Sequence, residues 1–210
     1  MISTPTLDSE RELRAQGYQF IAGIDEVGRG SIAGPVVAGA VVLPWHDNLP
    51  WLSRVRDSKQ LTARQRENLF GLIREAGIPM AVGMVPNTLI DQIGIVKATQ
   101  MAMGIAVAQL SCSPDFLLID ALSLPDIPLA QRGLVRGDQK CLSIACASIV
   151  AKVTRDRHLV QLDHSHPGYG LARHKGYPTK QHVSSLQRLG ACAIHRRSFA
   201  PVRRLTAGGS

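Results

Sequence analysis

The stretch IAGIDEVGRGSIAGPVVAGAVVL, Ile21 to Leu43, is apolar and glycine-rich, and its only charges are Asp25, Glu26 and Arg29. It reads as two buried strands, about 20–26 and 34–43, joined as a hairpin through the glycine-rich turn. Two adjacent carboxylates in an apolar strand are costly to bury unless a partner offsets their charge. A divalent metal ion is the simplest such partner. Gly28-Arg29-Gly30, directly after the acids, offers bare backbone and one cation, which suits a phosphate or a sugar. Neighbours on a strand point to opposite faces, so Asp25 and Glu26 converge on one ion only if the strand ends or bulges beside the glycines. Otherwise Asp25 faces the site and Glu26 pairs with a buried Arg or Lys.

Working outward, residues 1–17 form a loose or helical lead-in, and Asp57-Ser58-Lys59 lies in a loop that passes Pro44, Pro50 and Trp51. Thr62-Ala63-Arg64-Gln65 is a capping-box pattern that starts a helix ending near Gly77. A short strand is expected over 79–85. A helical region opens at Pro86-Asn87, breaks at Gly94 and resumes over 95–110. Phe116 to Asp120 reads as a buried strand ending in an acid, and 133–136 as one more short strand. Leu142 to Asp163 forms a long helix rich in small residues. A loop with two Gly-Tyr pairs covers 166–177, and Thr179 opens a last ordered helix to Gly190. The tail HRRSFAPVRR is basic, and TAGGS is expected to fray. Strands around helices give an α/β class with a mixed sheet.

At 210 residues the chain fits one domain with a small appendage. Its net charge of +8 is unevenly placed: residues 132–204 hold 14 Lys/Arg against 3 acids, while residues 1–131 hold 10 against 13. The basic C-terminal third suits a polyanion, or simply a solvated surface. Cys112, Cys141, Cys146 and Cys192 show no zinc or disulfide spacing and read as packed thiols in a reducing compartment. The polar first 20 residues carry no signal-peptide pattern, and no apolar run suits a membrane span. His158, His164, His166 and His174 match no zinc motif, so they read as solvent- or substrate-facing.

Four acids stand apart from those on charged helix faces: Asp25, Glu26, Asp120 and Asp138, each in or at the end of an apolar or glycine-bounded segment. Hard divalent ions take such oxygen ligands, and a pair of ions can serve an in-line phosphoryl displacement. His174 to Thr179 gathers two potential cations, a glycine and Tyr177 just before a helix start, a set suited to phosphate and to a 2′-hydroxyl. Tyr177 is equally able to pack as the cap of its loop. Lys59 offers a cation to a backbone, and Lys152, Arg155 and Arg157 read as helix residues partly engaged in ion pairs with nearby acids.

These pieces resemble the type 2 ribonucleases H, specifically the bacterial ribonuclease HII family. The matching segments are GIDEVGRGSIAGPVV (23–37), DSKQL (57–61), LLIDAL (117–122), RGDQKCLSIACASIVAKVTRDR (136–157), HPGYGLARHKGYPT (166–179) and HRRSF (195–199). The resemblance implies a ribonuclease H-like fold, with residues 1–19 as lead-in, a core over 20–164, and a helical C-terminal extension over 165–210. It implies cleavage of the RNA strand of RNA–DNA hybrids and of single ribonucleotides in duplex DNA, with two manganese or magnesium ions, leaving 5′-phosphate and 3′-hydroxyl ends. Asp25, Glu26, Asp120 and Asp138 map onto the catalytic, metal-binding acids. Gly28, Arg29 and Gly30 map onto the element that meets the ribose, and Tyr177, ahead of its rival Tyr169, onto the residue that reads the junction. Arg136 stands where lysine is common and Cys146 where alanine is common, changes that keep charge or size. The expected state is a cytoplasmic monomer without a membrane partner. The alternatives are a type 3 hybrid ribonuclease, disfavoured by Asp rather than Glu as the fourth acid, and a non-catalytic basic RNA-binding protein.

Overall fold

The structure is a computed structural model that describes residues 4–44 and 49–207. A five-stranded sheet in the order β3-β2-β1-β4-β5 forms its centre. Strands β1 (Ile21–Val27) and β2 (Val36–Val42) form the antiparallel hairpin expected from the opening stretch, and β3 (Met80–Val85) continues it antiparallel. On the other side β4 (Phe116–Asp120) runs parallel to β1, and β5 (Ala130–Leu134) parallel to β4.

Helix α1 (Asp8–Ala15) precedes the sheet, and α2 (Ala63–Glu75) opens with the full Thr62/Gln65 capping box. The helical region after β3 divides at Gly94, whose φ of +81° ends α3 (Asn87–Ile93) and begins α4 (Ile95–Ala108). The long helix α5 (Leu142–Ser165) is followed by α6 (Leu171–His174), α7 (Lys180–Leu189) and α8 (Ala200–Ala207).

Helix α4 covers one face of the sheet, packing Ala98, Ala102, Met103 and Ala106 with Ala22, Ile24 and Ile119. Helix α5 lies on the other face, and its small residues let it come very close. A Cβ on Gly23 would sit 2.2 Å from the Ser143 carbonyl carbon, and one on Gly39 would sit 2.5 Å from the Ala147 oxygen. No helix among the described residues is long and apolar enough to cross a membrane.

Three expectations need correction. The strand expected over 133–136 lies at Ala130–Leu134, because its start is polar (Gln131, Arg132) and gives no apolar signal, while Arg136 turns left-handed at φ 56°. The Thr179 helix is not the last, because 200–207 form α8 with Pro201 in its first turn, where a missing N–H costs nothing. Of the expected frayed tail, residues 208–210 lie outside the described residues, as do 1–3 and part of the loop after Pro44. The lead-in is helical and built into the body: Leu13 is fully buried, and Glu10 accepts the backbone N–H of Ser143 at 2.8 Å in the first turn of α5.

Candidate active site

The sheet register decides which acids meet. Ile24 of β1 is level with Ile119 of β4, so the next residue of each strand, Asp25 and Asp120, stand side by side. Side chains alternate along a strand, so both acids share the α5 face with Gly23 and Leu118. They sit at the carboxyl ends of adjacent parallel strands, the edge where open α/β sheets bind ligands. Asp138 arrives from the short 3-10 turn Gly137–Gln139 just before α5, whose Gly137 N–H bonds the Asp120 carboxylate at 2.7 Å. Asp25, Asp120 and Asp138 each offer an oxygen within 4.8 Å of the others, a set that could hold a metal ion.

Glu26 is not brought into this group. The strand neither ends nor bulges there, because its pairing with β2 runs unbroken through Val27 opposite Val37. Alternation turns Glu26 away from Asp25, and its carboxylate pairs with Arg29 at 3.2 Å. Its other oxygen is buried without a hydrogen-bond partner.

The acids hold their charge with difficulty. Burial, then the carboxylates of Glu26 and Asp120, push Asp25 well above the usual range, against a Ser148 hydrogen bond that lowers it. Burial raises Asp120, although the Gly137 N–H favours its charged form. Burial, with Asp57 and Asp120 beside it, pushes Asp138 up to about 6. Burial raises Glu26 despite Arg29. Clustered carboxylates held above their ordinary pKa are a donor set of the right chemistry for a hard divalent cation, whose charge reverses the shift.

Among the substrate residues foreseen, Lys59 approaches the acids, with its Nζ 3.9 Å from an Asp138 oxygen. Burial of its stem disfavours the charge, but Asp57, Asp138, Asp25 and Asp120 outweigh this and raise its pKa. The Gly28-Arg29-Gly30 turn leaves the end of β1 with Gly28 at φ +90°, and Ile32 N–H bonds the Gly176 carbonyl at 2.9 Å, which brings the Tyr177 loop alongside. Tyr169 is buried, with its hydroxyl on the Gly190 carbonyl at 2.9 Å, so it serves packing.

Sequence reasoning missed Asp57. It is buried, accepts the Lys59 N–H at 2.9 Å and the Gln139 side chain at 3.3 Å, and lies in hydrogen-bond reach of Asp138. Its place in the DSKQL segment was the available signal. Arg155 and Arg196 were also misjudged: both are fully buried rather than part of a basic surface. Of the histidines expected to face solvent or substrate, His174 is buried and stacks on His182 with ring centroids 4.2 Å apart.

The raised pKa of Asp138 has a measurable consequence in metal-free protein. The folded state binds this proton more tightly than the unfolded chain, so stability falls as pH rises from about 4 through about 6. Asp138→Asn removes that dependence. Its melting advantage over wild type is expected to be near zero at pH 4 and about 3–6 °C by pH 7. His182 and His195, lowered mainly by burial, act in the opposite sense, losing stability as pH falls below about 6.5, but they are common to both proteins and cancel in the difference. A melting difference that stays flat across this range would refute charge strain at Asp138.

The sheet order and the acid cluster define a nuclease of the ribonuclease H-like class. The Ribonuclease HII family model matches residues 22–202. The chain is 53% identical over 199 residues to the Ribonuclease HII of Dehalococcoides mccartyi strain 195, across 95% of this chain and 94% of that relative. It is 50% identical over 190 residues to the Ribonuclease HII of Acetivibrio thermocellus, across 90% of this chain and 73% of that one. Among solved structures it is similar to ribonuclease H2 from Pyrococcus horikoshii OT3, with a TM-score of 0.74 and 27% identity over 89% of this chain and 97% of that one. The chain belongs to the ribonuclease HII family, and with that it is a ribonuclease H enzyme.

Proposed function

We infer that the enzyme cuts both the RNA strand of RNA–DNA hybrids and single ribonucleotides embedded in duplex DNA, leaving a 5′-phosphate and a 3′-hydroxyl. The observation that carries this reading is the placement of two buried carboxylates and a half-buried one beside a Gly-Arg-Gly turn whose continuation, at Ile32, bonds the Tyr177 loop. Asp25, Asp120 and Asp138 are the residues that would hold divalent metal, manganese or magnesium; Glu26, turned aside onto Arg29, would serve as the fourth carboxylate of a two-ion site only on release from that pair. When bound, such ions supply an activated water and stabilise the leaving 3′ oxygen.

The chain's own residues do the rest. Backbone at Gly30, exposed and with open space where a side chain would stand, can meet a ribose, while Gly28 is buried against Arg155 and lets the turn close onto it. Arg29, now paired with Glu26, is a cation able to receive a phosphate. The Tyr177 ring is half-buried and backed by cations, with Lys152 Nζ 5.9 Å and the Arg155 guanidinium carbon 5.6 Å from its centroid, which leaves its remaining surface to a sugar. Lys59 adds a cation at the Asp138 edge of the acids. A site that bonds a 2′-hydroxyl rejects plain DNA because its buried polar groups are then left unpaired.

The test is turnover on three substrates: a DNA duplex with one ribonucleotide, a long RNA–DNA hybrid, and an all-DNA duplex. The first two should be cut and the third left intact. Cleavage of the hybrid alone would restrict the enzyme to the type 3 pattern.

Affinity should come from phosphate contacts of the exposed basic surface, which includes Arg173 and Lys180 on either side of Tyr177 in sequence. Converting both to Gln is expected to lower the slope of log affinity against log salt by about 0.7–0.9 per lost contact. The cut position should not move. An unchanged slope means that these residues do not touch the duplex.

A further inference from the structure

Tyr177 and the Gly-Arg-Gly turn are over a hundred residues apart in sequence, yet one buried side chain bonds the backbone just after the turn and just before Tyr177, and packs under Gly28. Arg155 of α5 donates from Nε to the Pro35 carbonyl at 2.9 Å and from one terminal nitrogen to the Ala33 carbonyl at 3.2 Å. Its other terminal nitrogen donates to the Lys175 carbonyl at 2.9 Å, two residues before Tyr177. It also fills the space beneath the turn: a Cβ on Gly28 would lie 2.2 Å from its Nε. The guanidinium is a planar fork with five donors, so it can bind three carbonyls from two segments in a way that an ammonium cannot copy.

The loop is held from behind by His182 of α7, whose Nδ1 lies 3.0 Å from the Tyr177 carbonyl. A carbonyl only accepts, so Nδ1 carries the proton and Nε2 is an acceptor. His195 satisfies it. Its Nδ1 accepts the Cys192 N–H at 3.1 Å, so its Nε2 carries a proton, 3.2 Å from Nε2 of His182. The network therefore has one consistent set of neutral tautomers, and burial, which pushes His182 down to about 4, keeps it so.

We propose that Arg155 and His182 are positioning residues that brace Tyr177 against the Gly28-Arg29-Gly30 turn, so that discrimination of a single ribonucleotide depends on this buried brace. The proposal rests on the substrate reading above. A long hybrid presents a ribonucleotide in every register and tolerates a loose tyrosine, whereas a lone ribonucleotide offers one.

The test compares Arg155→Lys, His182→Leu and His182→Asn, which keeps a donor, in wild-type and Tyr177→Ala backgrounds. Melting curves establish which variants fold, and kcat and KM are measured on the single-ribonucleotide duplex and on the long hybrid. Arg155→Lys and His182→Leu should each lower the ratio of kcat/KM on the two substrates by about ten- to a hundredfold. His182→Asn should restore most of the ratio, and neither change should lower it further once Tyr177 is Ala. Equal losses on both substrates, or an undiminished effect on the ratio in the Tyr177→Ala background, would overturn the brace. If Arg155→Lys does not fold, the His182 pair decides by the same criteria. Wild-type protein that leaves the single-ribonucleotide duplex uncut overturns the substrate reading itself, an outcome seen before any variant is compared.

Discussion

Asp25→Asn is expected to lower cleavage by about a thousandfold or more while the metal-free protein melts above wild type. Asp25 is buried beside Asp120; burial raises Asp25, Glu26 and Asp120 alike, and the charges of Glu26 and Asp120 push Asp25 up further. An amide removes one of these charges but keeps the oxygen that accepts the Glu26 N–H at 2.7 Å, so the end of β1 retains its local bond. The loss therefore falls on cation binding rather than on folding. Turnover with manganese and thermal melts without metal check the two halves. Wild-type activity in the variant, or a lower metal-free melting temperature, would each contradict the assignment.

The second large effect is expected at Tyr177. Tyr177→Ala should lower kcat/KM on a single ribonucleotide by about a hundredfold and on a long hybrid by less than about tenfold. Tyr177→Phe keeps the ring and loses the hydroxyl, a change worth about tenfold on the single ribonucleotide if that hydroxyl bonds the 2′-OH. Tyr169→Phe removes a bond to the Gly190 carbonyl instead, so it should reduce stability by about 1 kcal/mol and leave the substrate ratio unchanged. Steady-state rates for the three variants on both substrates give the comparison. A ratio that moves with Tyr169 and not with Tyr177 would reassign the junction reader.

Much of the fold was legible because local chemistry and tertiary structure agree. The Thr62 cap, the break at Gly94 and the hairpin of the opening stretch each follow from side chains acting within a few residues. Strand β5 was displaced in the reading because an edge strand with Gln131 and Arg132 carries no alternation to find, and α8 because Pro201 resembles an end as much as a beginning. At the site, Asp25, Asp120 and Asp138 were conspicuous as acids in apolar or glycine-bounded surroundings. The orientation of Glu26 was not, since only the unbroken register with β2 excludes a bulge.

Charge misled most. The surplus in the C-terminal third counts Arg155 and Arg196 as surface, yet Arg196 is buried on the Gly34 and Arg29 carbonyls at 2.9 and 3.0 Å. Burial, with Arg155 nearby, pulls its pKa down to about 9. An arginine bound by backbone carbonyls looks in sequence like any other, because its partners are assembled only by the fold.

The contact of Glu10 with the first turn of α5 reaches beyond packing. That helix follows Asp138 by four residues, so the carboxylate that satisfies Ser143 N–H also sets where the turn carrying Asp138 stands along the helix axis. Among engineered forms, a fusion partner or a truncation that disturbs residues 4–15 is expected to lower turnover as a remote edit of catalysis, although no catalytic residue is altered. The beginning of the chain belongs to the active site's foundations, and an affinity tag is better attached at the other end.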